Sequence, residues 1–276
     1  MRLIFVCLTI LLLPASLAAQ QTRTPSHCIA LAKDIDGATF LYTAGYDVDV
    51  APETVRIHYI AHASFLIRTA GGLNIVTDFT GFTGSAPLIP DVVTMNRAHE
   101  SHWTAFPDPA IPYVLPGWGP FGEGIDHRVD LGEVLVRNVS TDIRSQFSGV
   151  EPNGNSIFIF EVAGLCIGHL GHLQHEPSDE QYAAIGRLDV VMAAVDGGMT
   201  VDLPTMMRII GRLRSSIVIP MHWFGDYTLD AFLDGMRDTF AVVEVDGPAL
   251  EISLDRLPSR PTIMVLRPAW LRDPPE

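Results

Sequence analysis

The feature that most constrains this chain is a change, near its middle, in how its strand-like segments are joined. Residues 55–60 alternate as a strand, 64–68 follow as a second, and Ala70, Gly71 and Gly72 form the turn into a third at 73–77. A short apolar strand at 92–95 runs straight into a polar, histidine-bearing loop, and 134–139 and 156–162 read as two more strands. Beyond them helices enter between the strands. Ser178 caps a helix with early acids at Asp179 and Glu180, and Pro204 opens a second that reaches Arg214. Residues 189–195 and 216–221 are apolar strands, 229–240 a third helix, and strands return near 250–253 and 262–266. Hairpins followed by β–α alternation predict an α+β sandwich of sheets between helical layers. No repeat or linker interrupts it, and 276 residues suit one layered domain.

The first twenty residues stand apart. Arg2 is a short basic region, residues 3–13 are an almost unbroken apolar run, and Pro14 is followed by small residues suited to cleavage. The run falls short of the roughly 20 residues that span a bilayer. It predicts a signal peptide over 1–20 and a periplasmic or secreted mature protein that the membrane does not retain. Residues 21–52 carry no strong period and read as an N-terminal extension, leaving 53–276 as the domain proper. Cleavage removes Cys7 and leaves Cys28 and Cys166. An oxidising compartment permits them to pair. Cys166, however, lies in what reads as a buried strand, and a buried free thiol is the expectation there.

A formal charge of −14 repels a phosphate backbone and excludes nucleic acid as a partner; the oligomeric state stays open. Asn138, Val139 and Ser140 spell a glycosylation sequon with nothing beside it in support.

Ten histidines are present, and six of them, His99, His102, His169, His172, His175 and His222, fall at or just after strand ends. Neutral imidazole is the commonest protein ligand for zinc, and a catalytic zinc takes three protein ligands and keeps one position for water. Converging strand-end loops can assemble such a set where sequence neighbours cannot.

Several segments together resemble the metallo-β-lactamase-fold hydrolases, in particular their ascorbate-phosphate-lactonase-like branch. They are His62 to Ile67, Gly72 to Asp78, His169 to Leu173, Asp189 to Val191, Asp196 to Thr200, and Ile219 to His222, in that order over about residues 55–225. The resemblance implies a four-layer αβ/βα sandwich with a metal site at one edge of two sheets. It also exposes departures. The family's H-x-H-x-D-H motif reads here Arg97, Ala98, His99, Glu100, Ser101, His102, a histidine expected soon after Val139 is missing, and the aspartate of an H-L-G-D segment has become His172. One of the family's two metal positions thus retains only His99. The other holds His102, His172 and His222, which implies one zinc per chain on those three, with iron or manganese as alternatives.

Around that centre the resemblance implies catalytic roles for His99, Asp78 and Arg97. Asp78 would orient a ligand loop or histidine. Arg97 would hold a substrate carboxylate or phosphate, an ion pair with Asp142 or Glu100 being the alternative. His62 and His169 are expected to stand behind a ligand or to be structural rather than to hold the metal, and His175 to face solvent. Trp103 and Trp223, with Trp118 and Phe224, flank the site loops and are expected to line an apolar substrate pocket. The implied function is an exported metallo-hydrolase using a zinc-bound hydroxide on a small ester, lactone, amide or phosphoester. A non-catalytic binding or sensor protein of the same fold, and a metal-dependent oxidoreductase, are the alternatives.

Overall fold

Two facing sheets form the molecule. The computed structural model describes residues 28, 45–96, 100–120, 122–145 and 149–273; the expected signal peptide and most of the extension lie outside them. The first sheet contains β1 (Thr54–Ala61), β2 (Ser64–Thr69), β3 (Asn74–Val76), β4 (Val92–Met95), β5 (Tyr113–Pro116) and, far along the chain, β13 (Ala249–Ser253), in the order β13-β1-β2-β3-β4-β5. The second contains β6 (Arg128–Asp130), β7 (Val134–Arg144), β8 (Val150–Val162), β9 (Leu165–His169), β10 (Val190–Ala194), β11 (Ile217–Met221), β12 (Ala241–Glu244) and β14 (Thr262–Val265), in the order β12-β14-β11-β10-β9-β8-β7-β6. Pairing is antiparallel through the hairpins and parallel from β3 to β5 and from β9 through β10 and β11 to β14.

Strand alternation sorts the side chains into layers. Val55, Ile57 and Tyr59 of β1 and Phe65 and Ile67 of β2 meet Phe158, Phe160, Val190, Met192, Ile217 and Ile219 in the core between the sheets. The intervening residues of the second sheet, Ile157, Ile159, Val191, Ala193 and Val218, face outward yet are buried too. They are covered by α1 (Asp179–Ile185), α2 (Leu203–Leu213) and α3 (Asp226–Met236), which supply Ile185, Met206, Ile210, Leu229 and Phe232. Burial on both faces is why these strands read as continuous apolar runs. The outer face of the first sheet is covered, among the described residues, by loop side chains such as Phe79, Ala86, Ile111 and Leu271. All three described α-helices therefore lie on one side of the sandwich.

Helix starts follow the sequence. Ser178 and Gln181 form a reciprocal capping box on α1, and the Asp202 side chain accepts from the Thr205 N–H with Pro204 in the first turn of α2. α3 starts at Asp226, ahead of the expected 229, and ends at Met236 rather than 240.

The expectation for Cys166 is corrected. Cys28 and Cys166 are joined in a disulfide across 138 residues, so Cys166 is not a free thiol. Its burial is real, but Cys28 is equally buried against the same layer. The sequon residue Asn138 is also engaged: its Nδ2 donates to the Ile125 carbonyl and to Ser156 Oγ, and its Oδ1 accepts from the His127 N–H.

Candidate metal centre

Parallel strands send their C-terminal ends to one edge, where ligand-bearing loops collect in open α/β sheets. Asp78 follows β3, His102 closes a one-turn 3-10 helix after β4 (Glu100–His102), His172 follows β9, Asp196 follows β10, and His222 is the first residue after β11. The turn between β1 and β2 reaches the same edge and brings His62.

The result is four imidazoles packed together. Ring centroids of His102, His172 and His222 lie 4.8–5.2 Å apart, and His62 lies 4.0 Å from His222 and 5.0 Å from His102. Ligand atoms of His62, His102 and His222 all fall within 4.8 Å of one another. His102, His172 and His222 are buried, and His62 is half-buried.

Carboxylates set the tautomers of two rings. His102 Nδ1 is 2.8 Å from Asp78 Oδ2, and His222 Nδ1 is 3.0 Å from Asp196 Oδ2. A carboxylate accepts only, so each Nδ1 carries the proton and each Nε2 presents a lone pair. Those two Nε2 atoms face one another at 3.3 Å. Two lone pairs so placed repel unless a cation lies between them. Ligands about 2.0–2.1 Å from one tetrahedral zinc stand about 3.3 Å apart, so the pair fits such an ion. Burial disfavours the Asp196 carboxylate, but hydrogen bonds from His222, the Gly198 and Thr200 N–H groups and the Thr200 hydroxyl outweigh it and hold its pKa well below the usual carboxylate range.

The backbone is strained at three of these positions. His62, Asp78 and His222 have φ of 53°, 43° and 62°, in the left-handed region that ordinary residues avoid. Hydrogen bonds hold them there. The His62 carbonyl accepts from the Tyr59 hydroxyl at 2.6 Å and from the His222 N–H at 2.9 Å. Burial pushes the Tyr59 phenol far above its ordinary pKa, so it keeps the proton it donates.

Two asparagines serve the site and were not singled out from the sequence. Asn96 Nδ2 donates to Asp78 Oδ1 at 2.6 Å while its Oδ1 accepts from the Ser156 N–H, joining the two sheets. Asn155 Oδ1 accepts from the His172 N–H at 3.0 Å. A polar residue beside an apolar run is the only signal either gives.

The other expected residues fall as follows. Arg97 and His99 lie outside the described residues. Ser101 Oγ is 3.0 Å from His62 Nε2. His169 is held away from the cluster, its Nε2 2.8 Å from the Ala63 carbonyl and its Nδ1 accepting from the Gly171 N–H. His175 is partly exposed and lines a polar cleft of about 430 Å³ with Arg144, Gln174, Glu176 and Arg208. Trp103 packs edge-on against Trp118 over the outer face of the first sheet, and Trp223 turns inward onto Tyr59. The aromatic ring beside the imidazoles is Phe224, 5.2 Å from His222 and 5.5 Å from His62, and 65% exposed.

A family model described as a beta-lactamase superfamily domain matches residues 56–222. No curated protein matches the chain significantly. A Thermotoga maritima protein, provisionally described as a zinc-dependent hydrolase of the metallo-β-lactamase superfamily, has a solved structure that is similar: 24% identity and a TM-score of 0.53 over 77% of this chain and 98% of its own. A metallo-hydrolase from Ignicoccus hospitalis is 16% identical, with a TM-score of 0.50 over 67% of this chain and 91% of its own. A Parabacteroides distasonis protein, provisionally described as a metal-dependent hydrolase, is 12% identical, with a TM-score of 0.50 over 67% and 89%.

Proposed function

Because the chain belongs to the beta-lactamase superfamily domain family, we propose that it is a metal-dependent hydrolase whose ion is held by His102, His222 and a third imidazole of the same cluster, the sequence pointing to His172 for that place. One observation carries this reading: two buried Nε2 lone pairs face each other at 3.3 Å, each fixed by a carboxylate on its Nδ1. Neutral imidazoles suit zinc, which when bound supplies Lewis acidity and a water acidified to near neutrality.

The protein's own groups do the rest. Asp78 and Asp196 keep both Nδ1 protons in place, so the two Nε2 atoms stay committed to the ion. Phe224 offers an apolar wall on the exposed side. Arg97, standing where the family has its first ligand, takes the anionic part of the substrate. The substrate class is a small ester, lactone, amide or phosphoester. Export belongs to the same reading. The disulfide persists in oxidising compartments and is rare in reducing ones, which agrees with the apolar leader.

Elemental analysis of the purified protein is expected to give about one zinc per chain, as one such ligand set implies. His102→Ala and His222→Ala are each expected to abolish stoichiometric binding. A wild-type protein that is folded, metal-free and unable to take up zinc would instead favour a binding protein of the same fold.

A further inference from the structure

Two imidazoles border the His102–His222 pair, and the hydrogen bonds behind them differ in kind. His172 is backed by Gln174, whose orientation is fixed. Its Oε1 accepts from the Arg144 backbone N–H, and its Nε2 donates to the Met199 carbonyl at 3.4 Å. That same Nε2 lies 3.2 Å from His172 Nδ1. An amide nitrogen offers only hydrogens, so Nδ1 must present its lone pair. In a neutral ring the proton then sits on Nε2, and neither nitrogen remains to hold a cation.

His62 is arranged the other way. Its Nε2 faces Ser101 Oγ at 3.0 Å, and a hydroxyl can accept that N–H, leaving Nδ1 with its lone pair. In that tautomer His62 matches His102 and His222, where a carboxylate behind each ring places the proton on the nitrogen away from the ion. His62, not His172, completes the trio whose ligand atoms lie within 4.8 Å of one another. Its strained backbone is pinned to His222 through its own carbonyl, so the two rings are positioned as a unit.

We propose that His62, His102 and His222 are the three ligands, and that His172 is a catalytic N–H donor beside the ion, serving an oxygen of the substrate on which charge develops. This rests on the metal-hydrolase reading above. It places the carboxylates Asp78 and Asp196 behind the ligands rather than among them. A set of neutral nitrogens then selects zinc, cobalt or copper over magnesium, calcium or manganese. A fixed N–H donor next to the reacting group is a standard means of stabilising an oxyanion.

The test exploits the backbone at residue 62. Glycine is at ease at a φ of 53°, so His62→Gly removes the imidazole while relieving strain. The metal-free variant is expected to melt no lower than wild type. Its zinc affinity is expected to fall by more than the roughly 10–100-fold that a change behind a ligand produces. His172→Gln is expected to keep wild-type zinc affinity and stoichiometry. With histidine labelled by nitrogen-15 and the protein loaded with cadmium-113, metal–nitrogen coupling is expected at His62, His102 and His222, and an uncoupled, protonated Nε2 at His172. Coupling at His172, or unchanged zinc affinity in His62→Gly, would overturn the ligand assignment and leave the metal reading standing. A wild-type protein that takes up neither zinc nor cadmium would overturn both.

Discussion

Asp78 is fully buried, and each of its oxygens has a separate task. Oδ1 accepts from Asn96, which is itself tied to the second sheet, and Oδ2 accepts from His102. Asp78→Asn keeps the shape but turns an amide N–H toward a donor on one side or the other. Zinc affinity, measured by competition with a chelator, is expected to fall about 10–100-fold, as it does when the partner behind a ligand is altered. An unchanged affinity would mean that packing alone orients His102. Asp78 was legible in the sequence because it ends a strand and matches a family landmark. Asn96 and Gln174 were not, because an asparagine after a strand reads as a turn former and a glutamine in a loop carries no pattern. The neighbouring Trp223 and Phe224 show the same limit. Only the backbone path after His222, itself in the left-handed region, decides that the tryptophan turns in and the phenylalanine stays beside the site.

Strands buried on both faces declared themselves as apolar runs, whereas the reach of β7 and β8 did not. Asn153, Gly154 and Asn155 look like a turn, yet β8 continues through them. Gly154 lies so close to Ile143 that a Cβ would meet it at 2.5 Å, and Asn155 Nδ2 donates to Thr141 Oγ1 inside the pair. Both residues are read correctly only against the partner strand. The docking of α1 on this hairpin was equally hidden. Arg137 of β7 donates from Nε to Glu161 of β8, from Nη1 to the Ala184 carbonyl and from Nη2 to the Ile185 carbonyl, so one guanidinium takes up the last carbonyls of a helix. Arg137→Ala removes all three contacts from a buried setting. It is expected to lower stability in urea by about 3–5 kcal/mol, the usual cost of deleting one partner of a buried pair. Metal stoichiometry of the folded protein should not change, because none of these groups touches the imidazole cluster. A loss below about 1 kcal/mol would show the pair to be as weak as a surface one.

At the scale of the whole molecule, the disulfide is a covalent cross-link between the N-terminal extension and the domain. Cys28 is buried in the layer between the second sheet and the helices, and its carbonyl accepts from the Arg187 N–H at 2.6 Å. Its partner Cys166 lies in β9, the strand that leads directly to His169 and His172. Because 138 residues separate the two cysteines, the cross-link restrains a large part of the unfolded chain. The chain-entropy relation puts that restraint near 5 kcal/mol, and measured disulfides more often contribute about 2–4 kcal/mol. For a chain of this size that range corresponds to a melting temperature lower by about 5–15 °C when the bond is absent. Cys28→Ala and the reduced wild type are both expected to show such a drop while still folding, since the sandwich core is built without the bond. The same comparison bears on export. Protein made without residues 1–20 in a reducing cytoplasm is expected to carry two titratable thiols once unfolded, Cys28 and Cys166, and to melt at the lower temperature, and protein recovered from an oxidising compartment is expected to carry none. Equal melting temperatures for the oxidised and reduced forms would show that the tie contributes nothing to stability, and would remove the physical reason for an exported chain to carry it.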